Sequence, residues 1–376
     1  MIATGAIDVR PVAGRRDLGR FIDYAYVRNR DDRHWVPPLR IAERDRLTPG
    51  KNPFFAHADV ELLLAFRSGQ LVGRIAAIDD RLHNETHGDN LAAFGFFEAA
   101  DADAAKALLD RVESWARARG RAAVRGPLNP SLNDTAGLLI DGFDTDPMVM
   151  MPHNPPEYAA HIEAAGYSKI KDLYAWLYDL GQPIEPGFAK MAARVQREHR
   201  IVVRPFDLTT FARETERLRE IYCGAWDRNW GFVPPTDDEF RHMAKEMKPI
   251  LDPRCAICAE VDGRPVACAV AVPDINQALV GTGGRLFPLG IVRLLGRKRI
   301  INQIRLLLLG VLPRYRGLGL FSLLICELQK QLAANTPYRR AEFSWVLEDN
   351  HDINQPVERL GAVRYKTYRI YEKALM

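Results

Sequence analysis

Short runs of valine, leucine and isoleucine alternate along the chain with stretches whose apolar residues recur every three or four positions. The short runs are typical of β-strands, and the longer spacing is typical of amphipathic helices. The most apolar run, residues 306–312, is continuous and ends at Pro313, as expected of a strand that is buried on both faces. The alternation predicts an α/β fold built on a mixed sheet.

The same pattern occurs twice. Residues 60–78 and 254–272 both predict a β-hairpin, and their turn glycines, Gly69 and Gly263, are 194 positions apart. A Val-Pro-Pro sequence precedes each hairpin, and a short helix that ends in glycine closes each half at nearly the same offset. Three correspondences in the same order predict two copies of one domain.

The repeat gives the expected domain organisation. We expect a first domain at 1–180 and a second at 199–376, with a linker at 181–198 in which prolines interrupt the pattern before a bridging helix. The second copy carries an insertion, roughly 276–303, between its hairpin and its fourth strand.

Composition and charge restrict the class of protein. The chain is 47% hydrophobic and 27% charged, which are ordinary values for a globular protein, and its net charge of +4 is too small to predict a nucleic-acid partner. No signal peptide is evident, and no apolar run approaches the roughly 20 residues of a membrane helix. Five cysteines, an odd number, fit a reducing compartment, so we expect a cytoplasmic protein.

The candidate chemistry begins where the apolar strand ends. The motif Arg314-x-x-Gly317-x-Gly319 leads directly into a helix with leucines at every fourth position. A helix N-terminus offers unpaired N–H groups and partial positive charge, which suit a pyrophosphate. Glycine permits close approach of the phosphates, and arginine adds charged donors. A tight turn without a ligand is the simpler alternative.

A second feature lies downstream, where Asn350 stands eleven positions before Gly361 across an apparent helix. Together the two features resemble the GCN5-related N-acetyltransferase superfamily, in which an R/Q-x-x-G-x-G/A loop follows the fourth strand. The resemblance covers about 201–376, and the whole chain is similar to a group of uncharacterised tandem-domain bacterial proteins. It implies two tandem acetyltransferase-like domains.

The resemblance also implies a cofactor, acetyl-CoA or another acyl-CoA, used as co-substrate without a metal. The loop would bind the coenzyme A pyrophosphate, and the end of the fourth strand would pair with the pantetheine arm. The residues expected to bind the cofactor are Gly310, Val311, Leu312, Arg314, Tyr315, Arg316, Gly317, Leu318, Gly319, Leu320 and Asn350.

The first copy departs from this motif. At the corresponding position it has Asp101 and Asp103 at the start of a helix, with neither the arginine nor the glycine pair. Carboxylates there repel phosphate, although they suit the cap of a helix. We therefore expect the first domain to be degenerate and the chain to have one coenzyme A site.

Acyl transfer to an amine needs a base that takes the amine proton. An acid can protonate the departing thiolate, although a thiolate can also leave without one. By resemblance the acid would be a tyrosine seven residues after Asn350, where this chain has Val357. Tyr368 in the last strand is a substitute candidate for the acid, with Tyr315 and Tyr365 as alternatives. Glu342 on the fifth strand is the candidate base, with Glu348 and Asp349 at the end of that strand as alternatives. A core tyrosine and a solvated carboxylate are the alternatives.

The acceptor is a small-molecule or peptide amine by the same resemblance. The polar segment 129–137, which contains Asn133, could line the acceptor pocket between the copies or form a surface loop. In the insertion, residues 286–301 interleave apolar residues with arginines. This segment could cover the acyl chain, contact a membrane surface, or dock an acidic carrier protein.

The function that these features predict is N-acyl transfer from acyl-CoA, with acetyl-CoA as the expected donor, to an amine by direct attack on the thioester. A non-catalytic acyl-CoA sensor and a Fem-type aminoacyl transferase are the alternatives. Val357 makes the sensor plausible, whereas the intact loop from Arg314 to Gly319 disfavours the aminoacyl transferase.

Overall fold

A computed structural model of the chain describes residues 5–226 and 229–375. Contacts divide these residues into two compact units. The first comprises the chain up to Leu173, Leu279–Gly290 and the chain from Lys366 onwards; the second comprises Tyr174–Ala278 and Ile291–Tyr365. The domain bounds expected from the sequence follow chain order, whereas the contacts give the last strand to the first unit.

Strands and helices alternate in the first unit. In chain order its elements are β1 (Ile7–Pro11), α1 (Gly14–Arg28), α2 (Arg40–Arg46), β2 (Ala58–Arg67), β3 (Gln70–Asp80), α3 (Arg81–His87), β4 (Leu91–Ala99), α4 (Ala102–Arg117), β5 (Ala123–Gly126), β6 (Leu128–Asn129), β7 (Thr135–Ala136), β8 (Leu138–Asp141), α5 (Tyr158–Ala164) and the first half of β9 (Ser168–Asp179).

The second unit begins within β9. Its further elements are α6 (Pro186–His199), β10 (Val202–Pro205), α7 (Phe211–Ala225), α8 (Asp237–Met247), β11 (Ala256–Val261), β12 (Arg264–Pro273), α9 (Asn276–Leu279), α10 (Ile291–Leu295), α11 (Arg297–Ile300), β13 (Gln303–Val311), α12 (Leu320–Asn335), β14 (Arg340–Leu347), α13 (His351–Arg359) and the start of β15 (Val363–Ala374). Within the segment 286–301, the side chains of residues 288 and 289 lie outside the described part of the structure.

The sheet of the first unit has the order β1-β2-β3-β4-β5-β15. Only the β4–β5 pair among these is parallel, and the chain's last strand, β15, completes the sheet by pairing with β5. Helix α4 packs on the sheet through Ala104, Leu108 and Val112, which are fully buried one turn apart.

The sheet of the second unit has the order β10-β11-β12-β13-β14-β9, and its β13–β14 pair is parallel. Helix α12 buries Leu324 and Leu328 in the core of this unit. Helix α6, expected from the sequence to bridge the copies, packs in the same core through Phe188 and Val195.

The two hairpins predicted from the repeat are present as β2–β3 and β11–β12, and each is followed by an antiparallel strand and then a parallel one. The predicted α/β class with a mixed sheet is confirmed. No helix among the described residues is both long enough and apolar enough to cross a membrane.

Candidate active site

The parallel strands β13 and β14 of the second unit separate along their length. Their ladder runs from Gln303, which pairs with Arg340, to Leu306, which pairs with Phe343. At that point β13 carries an extra residue, Leu307, between the residues that pair with consecutive positions of β12. A bulge of this kind bends a strand and increases its twist, so it accounts for the opening between the two strands.

A cavity of about 780 Å³ lies at this opening, within the second unit. Residues of both strands beyond the ladder line it, together with the first turns of α12 and α13. Its walls are largely apolar and aromatic, and they include Trp226, Leu306, Leu309, Phe321, Trp345 and Ile353. A cavity that combines apolar and aromatic walls with a few polar groups is the usual form of a small-molecule site.

The glycine loop forms one wall of the cavity. Gly317 and Gly319 have φ values of +77° and +87°, in the left-handed region that favours glycine. A Cβ atom on Gly319 would lie 2.6 Å from Cγ of Met191 on α6, so the loop and this helix approach too closely for a larger residue. Leu320 and Phe321, at the start of α12, also line the cavity, which places the helix N-terminus at its wall.

The charge near this wall is positive. Arg314 is exposed, and its guanidinium carbon lies 4.8 Å from the ring centroid of Tyr315. Arg316 lines the cavity, and its Nη2 donates to the carbonyl of Ala225 at 2.7 Å. Two guanidinium groups and the start of α12 therefore stand where the sequence predicts the pyrophosphate.

Asn350 precedes α13 and lines the cavity. One turn later, Asn354 accepts a hydrogen bond from the indole N–H of Trp176 at 3.0 Å and donates to the carbonyl of Leu347 at 2.8 Å. These bonds fix the start of α13 against the end of β14. Val357, at the position of the superfamily's usual tyrosine, is completely buried in the core.

A buried polar network lies directly behind the cavity wall. Glu342 has no solvent exposure, and its two carboxylate oxygens accept hydrogen bonds from the hydroxyls of Ser344 and Tyr365. The Nε of Arg305 donates to Oγ of Ser344 at 2.8 Å and lies 3.7 Å from Glu342. Ser344 is among the lining residues and Glu342 is not, so Ser344 stands between the buried carboxylate and the cavity.

Seven of the eleven expected cofactor residues line the cavity: Val311, Tyr315, Arg316, Gly317, Gly319, Leu320 and Asn350. Gly310 does not, but a Cβ atom there would lie 2.6 Å from the ring of Trp226, so this glycine makes room for a wall residue. Leu312, Arg314 and Leu318 stand beside the lining residues in the chain without lining the cavity.

Two residues expected to take part in the reaction lie elsewhere. Tyr368 is completely buried in the first unit, where it pairs with Leu139. Asn133 lies in the turn between β6 and β7 of the same unit, and its backbone N–H donates to Oγ of Ser131 at 3.2 Å. Neither lines the cavity of the second unit, so neither role gains support from the geometry.

The sequence did not single out several lining residues. Asp352 is the only carboxylate among the described residues of the wall, and it follows Asn350 by two positions in the first turn of α13. Trp226 and Trp345 contribute much of the apolar surface. The position of Asp352, two residues after the motif asparagine, could have identified it as a wall residue from the sequence. Nothing in the sequence around Trp226 or Trp345 indicated that they line the cavity.

The first unit has the corresponding opening but fills it with its own chain. Strands β4 and β5 pair only from Leu91–Ala123 to Ala93–Arg125. Beyond that point a Cβ atom on Gly95 would lie 1.7 Å from the carbonyl oxygen of Leu128, and the N–H of Phe96 donates to Oδ1 of Asn129 at 2.5 Å. Strand β6 therefore occupies the opening.

In the first unit, the partial positive charge at the start of α4 is already balanced by the carboxylate of Asp101. Asp101 caps α4 by accepting from the N–H of Ala104 at 3.0 Å. Arg67 donates two hydrogen bonds to the same carboxylate, at 2.6 and 2.8 Å, and this pairing holds the pKa of Asp101 below its usual range. An ionised carboxylate at this helix start excludes a second anion.

No family model matches the chain. The chain is 38% identical to a protein named bacterial ceramide synthase from Caulobacter vibrioides, over 98% of both chains. It is 37% identical to protein YghO of Escherichia coli, over 98% of this chain and 95% of that one. A solved tandem GNAT protein from the clavulanic acid biosynthesis pathway aligns over 99% of both chains with a TM-score of 0.59 and 14% identity, which shows a shared fold.

Proposed function

Because the chain belongs to the family that includes the bacterial ceramide synthase of Caulobacter vibrioides and YghO, and has the tandem GNAT fold, we propose that it is a long-chain acyl-CoA-dependent N-acyltransferase. Its acceptor is the primary amine of a long-chain amino alcohol, and its product is a ceramide-type amide. The observation that carries the proposal is the largely apolar cavity with the Arg314-to-Gly319 motif at its wall.

The loop and the separated strands support an acyl-CoA. The glycines and the start of α12 present N–H groups to the pyrophosphate, and Arg314 and Arg316 add charge. One edge of β13 pairs with β12, and its other edge faces the opening beyond Leu306. That edge can hydrogen-bond the amide groups of the pantetheine arm as an added strand would.

The composition of the wall supports a long acyl chain rather than acetyl. Leucine, phenylalanine, isoleucine and tryptophan residues form a large part of the cavity wall, and an acetyl group would cover only a small part of them. Burial of apolar area contributes roughly 25 cal/mol per Å², so each added methylene of the substrate favours binding. A lipid amine fits the same apolar surroundings.

The transfer needs few groups from the protein. The amine nitrogen attacks the thioester carbonyl carbon, and the C–S bond breaks as the thiolate leaves with its electron pair. A thiolate needs no dedicated acid, because the pKa of a thiol is about 8.5, and a buried Val357 is compatible with that. The amine proton passes to the hydroxyl of Ser344, whose own proton passes to Glu342.

The test uses the purified full chain with palmitoyl-CoA and sphinganine dispersed in detergent, and mass spectrometry to detect the amide. We expect the amide and one free coenzyme A for each turnover, with acetyl-CoA reacting at least about tenfold more slowly. Calorimetry with coenzyme A and palmitoyl-CoA separates the alternatives. If no CoA species binds, the proposal is wrong; if palmitoyl-CoA binds but no amine is acylated, the chain is a sensor.

A further inference from the structure

The insertion of the second copy, roughly 276–303, is closed where it leaves and rejoins the second unit. The side chain of Gln277 closes its neck against Asn302: Nε2 donates to Oδ1 of Asn302 at 3.0 Å, and Oε1 accepts from the backbone N–H of Asn302 at 2.9 Å. No aspartate or glutamate occurs in the sequence between Asp274 and Glu327, a stretch with eight arginines and lysines. The net charge of the whole chain is only +4, so this stretch concentrates positive charge.

The insertion also exposes apolar side chains. Half of the exposed large apolar residues in the described part of the chain fall between positions 280 and 300. On α10, Val292 and Leu295 are 66% and 75% exposed and share one face at a spacing of three. Ile300, at the end of α11, is 37% exposed. Exposed apolar side chains that cluster within a polar rim are typical of an interaction surface, whereas scattered ones are not.

Two arginines hold the segment in place, and two other cations remain on its surface. Arg293 donates to the carbonyl of Gln277 at 3.5 Å, and Arg297 donates to the carbonyls of Leu294 and Pro249, both at 3.1 Å. Lys298 and Arg299 follow directly, and both are exposed. Positive charge therefore flanks the exposed Leu295 and Ile300.

We propose that this basic–apolar segment, residues 291–300, docks the protein on an anionic bilayer surface. Anionic headgroups attract Lys298 and Arg299, and Val292, Leu295 and Ile300 enter the boundary between headgroups and acyl chains. An acidic protein would match the charge, but it would give no comparable cover for three aliphatic side chains. The proposal rests on the proposed function in one respect: a lipid amine and a ceramide-type product reside in a bilayer.

The test is sedimentation of the full chain, without acyl-CoA, with vesicles of phosphatidylglycerol and phosphatidylcholine or of phosphatidylcholine alone. We expect binding to the anionic vesicles only, and release of most of the protein at high salt. Each cation near an anionic surface contributes about fivefold to binding, so Lys298→Glu with Arg299→Glu is expected to lower partitioning at least tenfold. Leu295→Ser is expected to lower it at least threefold.

Matched controls carry the same changes elsewhere on the second unit. Arg213→Glu with Lys245→Glu reverses two exposed cations on α7 and α8, and Val202→Ser alters a valine that is 61% exposed on β10. Both controls are expected to bind vesicles as the parent chain does. An equal loss in the controls would mean a general charge effect and would overturn the proposal, as would a parent chain that ignores anionic vesicles.

Turnover with detergent-dispersed sphinganine separates this proposal from the proposed function. The Lys298/Arg299 variant is expected to keep that turnover while it loses vesicle binding. Vesicle binding without acylation of any amine would support the docking proposal and contradict the proposed N-acyltransferase function. Binding to an acidic carrier protein, with none to vesicles, would assign the segment to carrier docking and overturn the bilayer proposal.

Discussion

Ser344 is the residue at which a buried charge network reaches the cavity. Its hydroxyl receives a hydrogen bond from Arg305 and donates one to Glu342, which has no exposure of its own. A carboxylate in that position acts on a substrate only through its neighbour. At the scale of single residues, the candidate base is therefore a pair, Ser344 and Glu342, rather than one side chain.

Replacing Glu342 by glutamine keeps the shape of the network but removes the proton acceptor. We expect Glu342→Gln to lower kcat by about 10² to 10⁴ and to change the Kd for coenzyme A less than twofold. Calorimetry and steady-state kinetics measure the two quantities. The matched control is Glu327→Gln, because Glu327 pairs with Lys330 at the surface of α12.

Unchanged turnover in Glu342→Gln would remove the network from the mechanism. If Asp352→Asn then abolished turnover, the base would be Asp352, the carboxylate that lines the cavity. The two variants thus give opposite results for the two candidate bases.

His83 on α3 makes the stability of the first unit depend on pH. Burial, with the nearby Arg125 and His87, lowers the pKa of this imidazole. The unfolded chain takes up the proton near pH 6.5, whereas the folded chain takes it up at a lower pH. Protonation of His83 therefore favours the unfolded chain. Because of this group, the free energy of unfolding falls as the pH drops below about 6.5, and above about pH 6.5 the group has no effect on it.

The melting temperature, measured between about pH 7.5 and pH 5.5, checks this expectation. The decline is expected to be shallower in His83→Gln, which does not titrate in that range, than in the parent chain. His242→Gln, at a partly exposed site on α8, is the control and is expected to keep the parent slope. Identical slopes for His83→Gln and the parent chain would contradict the assignment.

At the scale of elements, the loop before α12 depends on two different requirements for glycine. Gly319 needs both its left-handed backbone and the absence of a Cβ, because Cγ of Met191 on α6 lies 2.6 Å from the Cβ position. Gly263, in the hairpin turn of β11–β12, has a φ of +73° and open space around it. Comparing alanine variants of Gly319 and Gly263 therefore separates the effect of backbone strain, which both share, from the effect of close approach, which only Gly319 has.

Gly319→Ala is expected to weaken coenzyme A binding more than tenfold, since alanine disfavours the left-handed backbone and the loop must move away from the side chains of Met191 and Val195. Gly263→Ala costs about 1 to 2 kcal/mol of backbone strain and is expected to leave binding unchanged. Calorimetry gives the Kd, and thermal melting gives the stability of both variants. Equal binding in the two variants would show that close packing of the loop on α6 is not needed.

At the scale of the whole molecule, chain order and compact units do not coincide. Helix α6 and the second half of β9 precede residue 199, yet they pack in the second unit: Tyr178 on β9 is nearly inaccessible, and Phe188 and Val195 on α6 join the same core. The sequence placed the second half of β9 in the first domain, 1–180, and a linker at 181–198, because prolines interrupt the pattern there.

We expect the fragment 199–376 to be insoluble or partly folded, because it exposes the face of α12 that α6 covers. The fragment 174–376 keeps that cover and is expected to show a higher soluble yield and a more cooperative thermal transition. Circular dichroism and size-exclusion chromatography compare the two. If the shorter fragment melted cooperatively and bound coenzyme A, α6 would be a dispensable linker.

The sequence by itself determined the features that depend on neighbouring residues. Alternation and turn glycines gave both hairpins, the Arg314-to-Gly319 motif gave the start of α12, and the missing glycines near Asp101 indicated a degenerate first copy. These signals are local, because a turn or a helix start is made by a few consecutive residues. The cytoplasmic location and the amine acceptor stay predictions.

Only the tertiary structure decided which distant residues meet. The bulge at Leu307 is defined by its register with β12, and Leu128 fills the opening of the first unit where the β4–β5 ladder ends. Tyr368 has a hydroxyl that could protonate a thiolate, which made it a catalytic candidate, but strand pairing buries it in the first unit. Pairing partners lie tens to hundreds of positions apart, so no local pattern encodes them; long-range packing selects them, and with them the walls of the cavity.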